Sequence, residues 1–110
     1  MQTSTTVNKR TDTIWLAVTG DIYLTTVDQL QTAIVQALDT GVGTLIIDLA
    51  EVTFLGATGI TALIKGRRAA DLVDMNYRVV NPRPIVRRVL EVTGSFAYLT
   101  NTSAAELAMA

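Results

Sequence analysis

The chain contains neither cysteine nor histidine. The first absence excludes disulfides, thiol nucleophiles and thiolate metal sites, and the second removes the commonest general base and metal ligand. Hydrolase and metalloenzyme chemistries therefore lose their usual parts, and no cofactor is expected. Proline occurs twice and aromatic residues make up 5% of the chain, so the core falls to the aliphatic residues that dominate the 49% hydrophobic content of 110 positions. That composition and length suit one globular domain over residues 1–110, with a core from about 7 to 99 and less ordered ends. Long hydrophobic runs are missing too. The uncharged stretch Val52 to Ile64 holds two glycines and three threonines and is too short for a bilayer core of about 30 Å. Met1 to Arg10 is polar and lacks the apolar segment of a signal peptide, so a cytoplasmic location is expected.

Net charge is −1, but it is unevenly spread: residues 1–64 carry two cations against six carboxylates, and residues 65–88 carry seven cations against two carboxylates. A basic face on the second half follows. The near-neutral total and the lack of interleaved aromatics argue against a nucleic-acid backbone as partner. A solvated face or an acidic protein partner fits better.

Hydrophobic periodicity orders the chain as alternating strands and helices. Ile14, Leu16 and Val18 alternate with Trp15, Ala17 and Thr19, which reads as a half-buried strand ending at the turn Gly20-Asp21; Ile22 and Leu24 would continue as a second short strand. Trp15 suits a sheet face or core position. Val27, Leu30, Ile34, Ala37 and Leu38 recur at helical spacing after Thr25 and Thr26, with Asp28 as a capping-box-like partner of Thr25 and Gly41 as the stop. Leu45, Ile46, Ile47 and Leu49 form a β-branched-rich run of the length expected for a strand buried on both faces, and Asp48 is its only charge. A helix from Thr58 to about Leu72, a strand from Tyr77 to Val80, and a helix after Asn81-Pro82-Arg83-Pro84 follow. That last helix should bury Ile85, Val86, Val89 and Leu90 and project Arg83, Arg87 and Arg88 on its other side. Phe96 to Leu99 reads as a last edge strand and Ser103 to Met109 as a short terminal helix. The pattern predicts an α/β fold with a mixed sheet.

The turn after the central strand is the most informative stretch. Gly56, Ala57 and Gly59 remove side-chain bulk where backbone amides can be exposed, and Ile60, Leu63 and Ile64 then recur at helical spacing. Thr58 is placed at the helix N-terminus, where orphan N–H groups and the macrodipole favour a hydroxyl cap or an added phosphate. A plain cap explains the threonine as well as a functional hydroxyl does. Gly56 is likewise explained by a position that needs unusual backbone angles. Lys65 and Arg68 read first as a solvated helix flank.

Together, Gly20-Asp21-Ile22, the run from Asp48 to Leu55, the helix start Thr58-Gly59-Ile60, and the segment from Val80-Asn81-Pro82 to Gly94 make the chain resemble STAS domains. The likeness is to the small bacterial anti-sigma factor antagonists and covers about Val7 to Leu99. The resemblance implies a small mixed sheet with helices packed mainly on one side. It also implies a partner: an anti-sigma factor that is a serine kinase of the GHKL type, which binds the unphosphorylated antagonist, frees its sigma factor, and phosphorylates a hydroxyl in the turn. The docking face carried over comprises Asp21, Tyr23, Gly56, Ala57, Thr58, Gly59 and Lys65. Three positions depart from the family pattern. Gly56 stands for the turn aspartate, Ala57 for the first hydroxyl, and Tyr23 for a second carboxylate near Asp21, leaving Thr58 as the turn's one hydroxyl. Two readings stay open: an antagonist switched at Thr58, and a binder that is never phosphorylated. A nucleotide- or anion-binding STAS module is a third class, although no P-loop supports it. An enzyme would need Thr58, Tyr23, Asp21 or Lys65 to act without a convincing activator, so none is expected. Monomer and weak dimer are both compatible with the sequence.

Overall fold

The computed structural model describes residues 4–10 and 12–100. A four-stranded sheet carries its strands in sequence order: β1 (Ser4–Arg10), β2 (Thr13–Ile22), β3 (Thr44–Leu55) and β4 (Asn76–Val80). β1 runs antiparallel to β2, while β2, β3 and β4 are parallel. The sheet is therefore mixed. Between the parallel strands lie α1 (Val27–Asp39) and α2 (Ala57–Leu72), and α3 (Pro84–Val92) and α4 (Phe96–Thr100) follow β4. Right-handed crossovers place successive connecting helices of sequentially ordered parallel strands on one face, and α1 packs beside α2 there.

That one-sided cover explains the burial pattern. Ile14, Leu16 and Val18 on β2, Leu45, Ile47, Leu49 and Val52 on β3, and Tyr77 and Val79 on β4 are buried beneath the helices. Their alternates are not: Trp15 is 37% exposed and Ile46 and Asp48 are half-buried. The expectation that the central strand is buried on both faces is thus corrected, because no described helix crosses to the far side. Asp48 is satisfied on that face by Trp15 Nε1 at 3.1 Å, the Ala50 N–H at 2.9 Å and Asn81 Nδ2 at 3.4 Å.

Four further expectations change. β1 is a strand that the polar segment Ser4–Arg10 did not announce; an edge strand can form from backbone pairing without an apolar face. β2 runs unbroken through Gly20 and Asp21 to Ile22, with register irregularities at Ala17/Thr19 and Gly20/Asp21 and a left-handed Gly20 (φ +98°) absorbing what looked like a turn. Leu24 lies in the following turn rather than in a second strand. β3 extends to Leu55 instead of ending at Leu49.

The last described segment is a helix, not an edge strand. Gly94 (φ +77°) ends α3, the Leu99 N–H donates to the Ser95 carbonyl at 3.0 Å, and the Thr100 hydroxyl returns to the Phe96 carbonyl at 2.7 Å. Arg67 of α2 holds this helix down. It is 6% exposed, donates to the Tyr98 carbonyl, lies 4.9 Å over the Tyr98 ring, and pairs with Asp71 at 3.4 Å. Arg87 covers Phe96 at 4.8 Å in the same way. In α3, Val86 and Leu90 are buried, but Ile85 is 60% exposed, so the buried stripe is narrower than expected. Arg83 caps α3 and bonds the Ala50 carbonyl at 2.7 Å and Glu51 at 3.4 Å rather than projecting freely. The terminal helix expected at Ser103 to Met109 lies outside the described residues.

Close approach of α1, α2 and β4 depends on Gly66. A β-carbon there would stand 2.8 Å from the Tyr77 hydroxyl and 3.0 Å from Ile34 Cγ2. Burial pushes the Tyr77 phenol far above its usual range, so it stays protonated and donates to the Leu63 carbonyl at 2.8 Å. Gly66→Ala is expected to cost about 1–3 kcal/mol through overpacking, and Tyr77→Phe about 1 kcal/mol through the lost hydrogen bond. Because Tyr77→Phe also removes the atom that Gly66→Ala strikes, the double variant should cost less than the sum; urea denaturation of the four proteins reads the coupling.

Candidate functional site

β2 and β3 end side by side. Asp21 is registered with Phe54 and Ile22 with Leu55, and the Gly56 N–H donates to the Ile22 carbonyl at 2.9 Å. Both helices that flank the site therefore start from one edge of the sheet. In open parallel sheets this edge, beyond the carboxyl ends of the strands, is where loops converge.

The turn into α1 is closed by a hydroxyl. Thr26 Oγ1 accepts the Tyr23 N–H at 2.8 Å and donates to the Asp21 carbonyl at 2.9 Å, while the Val27 N–H reaches the Tyr23 carbonyl at 2.8 Å. Thr26, not Thr25, is the N-cap, and its hydroxyl braces the turn behind the helix rather than the helix amides. This brace was not anticipated; the sequence signal was only a pair of adjacent threonines before a helix.

α2 starts one residue earlier than expected. Its N-cap is Gly56 in extended backbone (φ −81°, ψ 175°), which any residue adopts, so the explanation of Gly56 by unusual angles is withdrawn. A β-carbon at Gly56 would meet the Ile22 carbonyl at 3.2 Å and Phe54 Cε2 at 3.4 Å, a tight but local fit. Ala57 is the first helical residue and is exposed; Thr58 is the second and is half-buried, so Thr58 is not the cap. Gly59 is buried, and a β-carbon there would fall 2.5 Å from Leu55 Cδ1 and 2.8 Å from Ile22 Cγ2. The missing β-carbon lets α2 sit against the strand ends.

Thr58 lines a shallow groove between the starts of α1 and α2, together with Leu24, Asp28, Gln31 and the exposed Lys65. Ala57 and Thr61 belong to its α2 wall, and the Thr61 hydroxyl is spent on the Ala57 carbonyl at 3.0 Å. Asp21 stands on the other side of the turn. It accepts the Thr53 hydroxyl and lies 3.5 Å from the Tyr23 hydroxyl, and the Tyr23 ring stacks on Phe54 with centroids 4.9 Å apart at 28°. Of the residues expected at the site, Ala57, Thr58 and Lys65 share the groove, whereas Asp21 and Tyr23 form a second cluster across Gly56. Phe54 and Thr53 carry no sequence signal for the site, because they lie beyond the apolar run at residues 45–49 of the central strand.

Chemically, this edge offers a helix start with positive dipole character and one hydroxyl in its first turn. Among the described residues no three metal-ligating side chains converge, and no helix is long and apolar enough to cross a membrane.

The STAS domain model matches residues 4–107, and the chain belongs to that family. An anti-sigma factor antagonist from Mycobacterium paratuberculosis is similar in structure, with a TM-score of 0.80, 25% identity, and coverage of 96% of this chain and 92% of its own. The anti-sigma factor antagonist SpoIIAA in its unphosphorylated form matches with a TM-score of 0.66 and 22% identity over 80% of this chain and 82% of that one. The Bacillus cell fate determinant SpoIIAA in its phosphorylated form matches at 0.66 and 22% over 96% of each chain. At 22% identity these two establish shared architecture. No curated protein sequence matches the chain significantly.

Thr26→Val keeps the shape of the side chain but removes the hydroxyl's bonds to the Tyr23 N–H and the Asp21 carbonyl. Stability should fall by about 1–2 kcal/mol, and hydrogen exchange at the Tyr23 amide should accelerate well beyond that of the β3 amides, whereas Thr26→Ser retains protection.

Proposed function

We propose that the chain is a cytoplasmic, non-enzymatic anti-sigma factor antagonist that docks on an anti-sigma serine kinase of the GHKL type and thereby frees a sigma factor. Its docking face is the sheet edge built from Asp21, Tyr23, Gly56, Ala57, Thr58 and Lys65. The observation that carries this reading is the joint launch of α1 and α2 from the paired ends of β2 and β3, with one half-exposed hydroxyl, Thr58, in the first turn of α2. The relation to antagonists of known structure supports it.

Thr58 is the phosphate acceptor in this proposal. Phosphate adds a charge of about −1.5 to −2; near the amino end of a helix the charge is tolerated by the antagonist itself, while its bulk and charge on the docking face oppose the kinase. Phosphoryl transfer asks little of the substrate beyond positioning, since metal and base come from the kinase. A second reading is favoured by one specific observation: Ala57, which carries no hydroxyl, is the exposed first residue of the helix, and Thr58 is turned toward the groove beside α1. In that case the chain binds without being switched.

Intact-mass spectrometry with site mapping, after incubation with candidate GHKL-type kinases, Mg²⁺ and ATP, separates these readings. A complex with one kinase and a single phosphate on Thr58, absent from Thr58→Ala, is the expected result. A stable complex without phosphate selects the unswitched binder, and the absence of any complex overturns the antagonist proposal.

A further inference from the structure

Tyr23 and Phe54 are 42% and 40% exposed, yet they are fixed: the rings stack on each other, Phe54 is held in β3 opposite Asp21, and the Tyr23 backbone is locked by Thr26. Rigid aromatic side chains lose little entropy on binding and are over-represented among residues that dominate interface energies. The Asp21 carboxylate stands at the edge of the pair, held by Thr53 and within 3.5 Å of the Tyr23 hydroxyl. An aromatic face attracts a cation through its quadrupole, and an adjacent carboxylate adds a full negative charge. Leu24, 74% exposed in the same turn, offers apolar surface for the stem of a long side chain.

We propose that Tyr23 and Phe54, backed by Asp21, form a platform that receives an arginine side chain of the docking partner. A guanidinium fits better than an ammonium, because it is planar, stacks on rings and sheds water at lower cost, and it presents paired donors to a carboxylate. A purely apolar side chain would cover the rings but bring no charge to complement the Asp21 carboxylate. The platform adjoins the turn: the position of a β-carbon at Gly56 is 3.4 Å from Phe54 Cε2, so a partner spanning the Gly56–Thr58 turn also covers the rings. In naming the chemistry of the partner, this inference rests on the docking reading above.

Two measurements on the intact chain test it separately from that reading. In the first, ¹H–¹⁵N NMR follows titration with acetyl-arginine amide and, in parallel, with acetyl-citrulline amide, which has nearly the same shape but no charge. Saturable shifts at Asp21, Tyr23, Phe54 and Gly56 with arginine, at least several-fold larger than with citrulline, lost in Tyr23→Ala and kept in Tyr23→Phe, are the expected result. Equal responses to the two probes, or none, overturn the platform. In the second, affinity for the kinase that binds the wild-type chain is compared among variants. Tyr23→Ala and Phe54→Leu should weaken binding about tenfold or more, the scale of a desolvated cation–π contact, and Tyr23→Phe should stay near wild type. Wild-type affinity of Tyr23→Ala alongside loss of binding in Thr58→Glu overturns the platform and leaves the docking face standing. Arginine-selective shifts without binding to any kinase overturn the docking reading instead.

Discussion

The hydrogen bond from the Gly56 N–H to the Ile22 carbonyl, 2.9 Å long, is the joint on which the carboxyl edge of the sheet depends. It ties the end of β3 to the end of β2 at the point where each chain segment leaves the sheet for a helix. Upstream, the Thr26 hydroxyl closes the turn between Asp21 and Tyr23; downstream, Gly59 lets α2 rest on Ile22 and Leu55. A glycine amide, a threonine hydroxyl and a missing β-carbon thus set the spacing between the α1 and α2 starts. The groove that Thr58 and Lys65 line is the gap this spacing leaves.

The rest of the molecule holds that edge from behind. Handed crossovers place α1 and α2 on one face, and Gly66 permits them to close over Tyr77, which is anchored to the Leu63 carbonyl. Arg67 then carries the order outward to α4 through its contacts with Tyr98 and Asp71. A nearly buried arginine is tolerable there because its donors meet a carbonyl and a carboxylate and its plane meets a ring.

The sequence made elements with strong periodicity legible, and α1, α2 and β4 are found close to where the spacing of Leu30, Ile34, Leu63 and Tyr77 places them. It misled where tertiary pairing overrides local signals. Gly20 reads as a turn, yet the neighbouring strand carries β2 through it as an irregularity in register. Ile46 reads as core, yet burial of its face depends on where the helices go, which strand composition alone does not encode. Ser4–Arg10 shows no apolar alternation because an edge strand needs only backbone partners. At the site, the small residues before Ile60 correctly marked a helix start, but the division of labour among them was hidden: Gly56 caps, Ala57 faces out, Thr58 faces the groove and Gly59 packs. The Tyr23–Phe54 stack joins two residues 31 positions apart and becomes visible only once Asp21 and Phe54 are known to be registered.

Trp15 is the chain's single tryptophan, and it sits on the sheet face that no described helix covers, with its indole N–H on Asp48. Six residues of strand, about 20 Å at 3.3 Å per residue, separate it from Asp21 at the carboxyl edge of the sheet. Its indole therefore acts as a built-in optical reporter of the β2–β3 pairing. Loss of the sheet breaks the indole's bond to Asp48 and must change its emission, so the fluorescence of the unlabelled protein follows folding of the β2–β3 pair without a probe.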